Sequence, residues 1–371
     1  MKKNKHVDRP FLIITAILVI VGFFIFSSAS LGLLARGSGK FMAVTFNQVV
    51  FGLIGGTIAA IVTSLIPYTF WRKYAFYLYI ASIVLMILVF IPHIGLCLKG
   101  ACRWIDINGN ATVQPSEVYK IGFVMYLAAW LASVKHKVAT FKLGTLPFLI
   151  LIGLTAGLVL MQPDTDTFLV ITLAGLAVFI TAGGKWRDMI IMGLIGAIAL
   201  GGLVMARPYL MDRIETYINP AADPTGNGYQ IQQSLIAIGS GGIFGRGFGQ
   251  SIQKFNFLPE PIGDSIFAVA AEEFGFVGSV IIILLYLAFI FQGYRIATKA
   301  PDIFSALMVV GIVTLIGVQS FLNIAAMLAI TPLSGTPLLF ISHGGTALFF
   351  ALASVGIVLN ISRYQLKKSR D

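Results

Sequence analysis

Charge is scarce in this chain: Asp, Glu, Lys and Arg together make up 11% of its 371 residues. Soluble domains carry roughly a quarter of their residues as charges, so a water-exposed globule is excluded. Cysteine is rarer still, limited to Cys97 and Cys102. That pair rules out a disulfide-knit scaffold, and its spacing matches no zinc motif; in an oxidising exterior it is either a small disulfide loop or two separate thiols. His6, His93, His136 and His343 stand far apart, so no metal cage is visible and no metal ligand is expected among them. No internal repeat or linker divides the chain, which reads as one integral domain over residues 1–371. The net charge of +11 has no basic, aromatic-interleaved soluble domain behind it, which argues against a nucleic-acid partner.

What is abundant is apolar sequence, 57% of all residues. A helix needs about 20 such residues to cross a hydrocarbon core of about 30 Å. Runs that meet or approach this length lie near residues 11–34, 43–66, 75–95, 115–134, 146–161, 166–183, 189–205, 275–296, 303–328 and 344–362. The expected fold is therefore an all-α polytopic membrane protein with ten transmembrane helices. Basic residues precede the first run as in a signal peptide, but the run exceeds the roughly 7–15 residues of such a peptide and further spans follow. Arg9, Arg72, Lys73, Lys135, Lys137, Lys142, Lys185, Arg187, Arg295, Lys299 and Arg363 fall on the side of the N-terminus. This bias predicts a multi-pass protein of the cytoplasmic (inner) membrane with both termini cytoplasmic. The long external segments are then 96–114, 329–343 and, largest, 206–274 between the seventh and eighth helices. Within the last, YQIQQSLIAIGSGGIFGRGFG (229–249) sets apolar residues at helical spacing before a run of glycines. Short helices and re-entrant backbone tucked against the bundle are expected there.

Ionisable groups beside apolar spans point to function by default. They concentrate in KFNFLPEPIGDSIFAVAAEEFG (254–275), which holds Lys254, Glu260, Asp264, Glu272 and Glu273. Asp264 follows Pro259, Pro261 and Gly263 and precedes an apolar run; it reads equally as a helix cap and as a partly desolvated catalytic carboxylate. Glu272 and Glu273 read as a helix-face pair with polar partners. Glu117 and Lys120, three residues apart on one helix face, form either a structural ion pair or part of a polar cavity wall. Gln162 and Asp164 lie in QPDTDT (162–167), between short apolar runs, which suits a tight external turn or a binding cavity. External cations are Arg103, beside Trp104, together with Arg246, Lys254, Arg207 and Arg213; the last two read as interfacial anchors. The glycines of 239–245 lack the lysine and strand context of a phosphate loop and instead suit close backbone approach or a hinge.

The segments CRWIDINGNATVQPSEVYK (102–120), QPDTDT (162–167), YQIQQSLIAIGSGGIFGRGFGQSIQKFNFLPEPIGDSIFAVAAEEFGFVG (229–278) and NIAAMLAITPLSGTPLLFISHGGTALF (323–349) occur in this order. They resemble the blocks of the SEDS family (shape, elongation, division and sporulation) of FtsW, RodA and SpoVE, with PEPIGDSIF closer to FtsW. The resemblance covers essentially the whole chain. It implies a peptidoglycan glycosyltransferase that polymerises lipid II at the outer face of the cytoplasmic membrane, for division or elongation. Asp264 matches the family's essential aspartate. Arg103, Trp104, Glu117, Lys120, Gln162, Asp164, Arg246, Lys254, Glu260 and Ser342 are the expected substrate-binding residues. A divalent cation, Mg or Mn, is a further expectation at the diphosphate, and a class B penicillin-binding protein and other division or elongation proteins are the implied partners. Ile262 and Gly263 stand where the family has His-Thr, His343 where it has Tyr, Ala329 where it has Gly and Thr336 where it has Ile. A lipid II flippase and a non-catalytic division scaffold are the alternative functions. Gly278, Ser279, Ser305, Ala306 and Gly311 mark the expected seam for a single-span partner.

Overall fold

A computed structural model describes residues 7–34, 38–98, 101–107, 111–206, 208–219 and 226–365. Hydrocarbon offers no water to backbone N–H and C=O groups, so a chain this apolar satisfies them within helices. Helix α1 (Arg9–Leu34) opens the bundle. The second crossing joins α2 (Ser38–Phe46), a π-helical stretch (Asn47–Gly55) and α3 (Gly56–Leu65). Then come α4 (Tyr68–Leu88), α5 (Pro115–Val134), α6 (Leu146–Leu160), α7 (Thr165–Thr181) and α8 (Trp186–Ala206). The long segment after α8 contributes α9 (Pro208–Ile218) and α10 (Asn227–Ser240), before α11 (Ile266–Thr298), α12 (Ile303–Met327) and α13 (Gly345–Ser362). Among the described residues, eight helices are long and apolar enough to cross a membrane. The other two expected runs fall on α7, a shorter apolar helix of 17 residues, and on α8.

The start of α1 meets the ends of α11 and α13: the Asp8 backbone N–H donates to Ser362 Oγ (3.0 Å), and Gln292 Nε2 donates to Asp8 (2.8 Å). Both ends of the described chain therefore lie at one face of the bundle. Helix α12 is its core, with 83% of its apolar window buried against 22% for α11. This corrects the expected partner seam. Ser305 and Gly311 are buried, and a Cβ on Gly311 would stand 2.3 Å from Val124 Cγ1, so that face of α12 packs inside the bundle. Helix α8, by contrast, is exposed along nearly all of its length; Asp188 near its start accepts from Thr145 Oγ1 (2.6 Å).

Two further details differ from the sequence reading. The third crossing starts at Tyr68 rather than near 75, because Pro67 ends the preceding chain and the aromatic YTFWRKY stretch begins the helix, where rings and cations suit the membrane interface. The segment between α4 and α5 carries a small antiparallel sheet of β1 (Gly95–Leu98), β2 (Ala101–Ile107) and β3 (Ala111–Val113), in that order. Leu96 pairs with Trp104 and Ile105 with Val113. Cys97 and Cys102 face each other in this register and are disulfide-bonded, which resolves the two states left open by the sequence.

Candidate active site

The turn Leu258–Ser265 carries Glu260 and Asp264 and ends at the cap of α11. Two prolines and a glycine keep it from being helical, so its backbone groups need partners from elsewhere. Glu260 O accepts from Gly263 N (3.0 Å) and Ser265 N (3.2 Å). The carbonyls of Ile262, Gly263 and Asp264 are held by α12 and by the segment between α12 and α13. Asn323 Nδ2, one turn before the end of α12, donates to Asp264 O (2.8 Å) and Thr336 O (2.9 Å). Ser342 Oγ donates to Gly263 O (2.8 Å), and the His343 N–H donates to Ile262 O (2.7 Å). Gln48, from the π-helical stretch, secures the clamp by donating to Ser342 O (3.1 Å) and accepting from Gly344 N (3.0 Å). Asp264 is thus half-buried on a turn fastened on successive carbonyls, while Glu260 is exposed and adopts φ 46°. The cap of α11 is Ser265 and makes no side-chain cap bond.

His343 closes this side of the turn. Its ring stacks on Phe26 of α1 (centroids 6.2 Å, 21° between planes). Burial holds its pKa below the ordinary histidine value, with the nearby Glu260 charge opposing, so the imidazole is neutral at neutral pH. Its Nε2 is enclosed and has no hydrogen-bond partner among the described residues. The chain lacks an imidazole at position 262, and the fold brings one beside the same turn from position 343.

The outer strap runs from β2 to the α6–α7 turn. Arg103 Nε donates to Gln162 O (3.0 Å), its Nη2 donates to Pro163 O, and its Nη1 lies 4.0 Å from Asp164. Gln162 turns inward onto Met86 O (3.2 Å), and Asp164 caps α7 through Thr167 N (3.3 Å) and Thr167 Oγ1 (2.9 Å). Both side chains brace the turn. Asp166 accepts from Gly335 N (2.9 Å) and faces Arg213 (3.4 Å). Since Gly335 adjoins Thr336, this strap reaches the Asn323 clamp. Trp104 is half-buried on β2, and Arg207 lies outside the described residues.

Beneath the clamp, Lys120 Nζ donates to Glu117 (2.8 Å) and to Gln319 Oε1 (2.6 Å), all three side chains being buried. Gln319 in turn donates to Pro337 O (3.2 Å). Gln319 and Asn323 are four apart on α12 and share a face, so one stripe of the core helix serves both the Glu117–Lys120 ion pair and the Asp264 turn. Glu117, Lys120, Gln319, Leu339 and Ser354 are among the residues lining a narrow cavity there.

Glu272 and Glu273 form a second acidic group. Glu272 accepts from Ser251 Oγ (2.6 Å), Ile252 N (3.1 Å) and Gln253 N (3.2 Å) and faces Arg246 Nε at 3.4 Å. Glu273 Oε1 accepts from Lys254 Nζ (2.8 Å) and Ser28 Oγ (2.6 Å). Lys254, expected at a diphosphate, is fully buried, because Glu273, Ser28 and Gly249 O surround its ammonium. The glycine run approaches this break in α11 closely. Arg246 N and Gly247 N donate to Glu272 O (3.0 Å) and Glu273 O (2.9 Å), and Phe276 N donates to Gly242 O (2.9 Å). Gly275 adopts φ 67° with Gly245 N 2.3 Å from where its Cβ would be, which only glycine accommodates.

Of the expected residues, the fold brings Glu260, Asp264 and Ser342 to one turn, with Ser342 acting on its backbone. Asn323, Gln48 and His343 join them without having been foreseen as site residues. Their only signal was a polar side chain within an apolar span or its flank.

The profile of the cell cycle protein family FTSW_RODA_SPOVE matches residues 8–367. Stage V sporulation protein E of Bacillus subtilis (strain 168) is 37% identical over 365 residues, covering 98% of each chain. The probable peptidoglycan glycosyltransferase FtsW of Geobacter sulfurreducens is 36% identical over 362 residues, covering 98% of this chain and 96% of its own. Among solved structures, Rod shape determining protein RodA of Thermus thermophilus superposes with a TM-score of 0.71 at 25% identity, covering 98% of both chains. A chain of a peptidoglycan synthase complex that coordinates polymerization and crosslinking gives 0.79 at 25% identity, covering 97% of this chain and 99% of that one. The chain belongs to the FtsW, RodA and SpoVE family of cell cycle proteins.

Proposed function

We propose that this protein is a peptidoglycan glycosyltransferase that polymerises lipid II at the outer face of the cytoplasmic membrane, with both termini cytoplasmic, and that Asp264 is its general base. The observation that carries the reading is the half-buried Asp264 on a turn whose neighbouring carbonyls are fastened by Asn323, Ser342 and His343. A carboxylate held so firmly can take the proton from an attacking sugar hydroxyl as that oxygen bonds to the anomeric carbon and the diphosphate departs. Glu260, exposed on the same turn, faces the incoming substrate. The partly exposed Arg246 (38%) and Arg103 (23%) are the cations that meet the diphosphate. A divalent cation enters with the substrate's phosphates, because no three His, Cys, Asp or Glu side chains gather as ligands among the described residues.

The partner is a class B penicillin-binding protein. The relative in the peptidoglycan synthase complex supports this, and the exposed outer face of α11, with Phe276, Ile281, Leu284 and Phe291, offers the lipid-facing seam that α12 does not. The buried Glu117–Lys120–Gln319 network favours one alternative, lipid II flipping, because it sets ionisable groups deep in the bundle. Purified protein incubated with lipid II, alone and with the transpeptidase, tests the proposal: glycan strands support polymerisation. Translocation of labelled lipid II without strands supports the flippase.

A further inference from the structure

The segment following α10 sits beside the middle of a membrane-spanning helix. Phe248 contacts Phe24 edge to face, with centroids 6.4 Å apart. Phe24 lies ten residues before the end of α1 at Leu34, about 15 Å along the axis at 1.5 Å per residue, which is close to half the thickness of a hydrocarbon core of about 30 Å. The contact continues outward along the same helix. Lys254 Nζ donates to Ser28 Oγ (2.9 Å), and Lys254 O stands 2.3 Å from where a Cβ on Gly32 would be.

Backbone at that depth needs internal partners, and this segment shares several with the break in α11. Arg246, Gly247, Phe276 and Val277 N–H groups bond across to Glu272, Glu273, Gly242 and Ile243 carbonyls. Lys254 and Glu273 are enclosed as a pair, 0% and 1% exposed. Its large outward side chains are apolar, Phe244 being 81% exposed, Ile243 63%, Phe248 51% and Ile252 51%, with Arg246 and Gln250 exposed between them. In water, such a cluster would be a liability; the adjoining α1 surface, with Phe23 and Phe24 also exposed, belongs to the membrane.

We propose that residues 242–252 form a re-entrant wedge whose outer face, led by Phe244 and Phe248, contacts the hydrocarbon chains of the bilayer leaflet at the Leu34 end of α1. The occupant is lipid acyl chain, because Phe24 sets the depth and the most exposed large side chains there, Phe244, Ile243, Phe248 and Ile252, are apolar, while Arg246 turns its Nε to Glu272 (3.4 Å). The catalytic turn follows directly after the wedge in sequence, so this placement brings the reactive carboxylate within reach of a membrane-borne substrate. The wedge stands whether or not that substrate is lipid II.

The test uses the full-length protein in phosphatidylcholine vesicles. Cysteine is introduced as Phe248→Cys or Phe244→Cys and labelled with bimane, while Cys97 and Cys102 stay bridged. Phe24→Cys serves as the deep reference and Met161→Cys, at the end of α6 and 67% exposed, as the shallow one. Lipids brominated at mid-chain should quench the label at 248 as strongly as at 24, and aqueous iodide should quench it several-fold less than at 161. A label at 248 that follows 161, quenched by iodide and spared by bromine, overturns the proposal. If the Phe248 variant fails to fold, the same reading at 244 decides.

Discussion

Two acidic groups lie within a few residues of each other along the chain, and the fold treats them in opposite ways. Glu272 and Glu273 are 0% and 1% exposed, surrounded by Arg246, Lys254, serines and backbone N–H groups. Asp264 is half-buried and Glu260 exposed, on a turn whose own backbone carbonyls accept from Asn323, Ser342 and His343. A buried charge survives only with a full complement of partners, so the first group shapes the loop. A carboxylate at a partly open edge keeps its capacity to exchange a proton. The contrast teaches that acidity alone did not mark the site; the degree of enclosure did.

The comparison breaks most visibly at Lys254. Lys254→Met leaves Glu273 charged and buried, which should destabilise the protein by about 3–5 kcal/mol. Thermal unfolding in detergent measures this, and an unchanged Tm would mean that the pair is accessible to water. Next in size is the Glu117–Lys120 pair. Glu117→Gln and Lys120→Met should each harm stability more than the double variant does, with a coupling of about 1–3 kcal/mol; additive losses would disconnect them from each other.

A smaller effect is expected at His343. Because burial depresses its pKa, the unfolded chain takes up the proton first. Stability is therefore full above the unfolded value of about 6.5 and declines as pH falls toward the folded value. His343→Phe, which retains a ring for Phe26, should flatten this acid-side decline in a series of unfolding curves. Ala329 gives the smallest effect. It adopts φ 55°, a left-handed conformation costing an alanine about 1–2 kcal/mol. Ala329→Gly should raise stability by up to about 1 kcal/mol, measured as a modest gain in Tm.

Much of this architecture was legible in the sequence, because apolar length and proline or glycine interruptions report directly on crossings. The Asp264 turn was legible for the same reason: prolines and acids are out of place beside a spanning helix. The start of α4 was not, since its first turns carry Arg72, Lys73 and several aromatic rings, and hydropathy alone places those outside. The hairpin at 95–113 was missed because its strands are short and set between a spanning helix and a turn. The enclosure of Lys254, expected as a ligand cation, was not legible. Its partners Ser28 and Glu273 lie 226 and 19 residues away, a separation over which no local pattern speaks. Asn323 and Gln48 escaped for the same reason, each meeting the site only through tertiary packing.

The most direct measurement sets the two acidic groups side by side, scoring Asp264→Asn and Glu273→Gln for lipid II polymerisation and for thermal unfolding. Asp264→Asn should lower turnover at least a hundredfold, within the usual range of about 10²–10⁴ for a lost general base, and keep a wild-type Tm. Glu273→Gln should lower Tm, with its activity recovering at temperatures where it stays folded. Near wild-type turnover from folded Asp264→Asn would contradict the account.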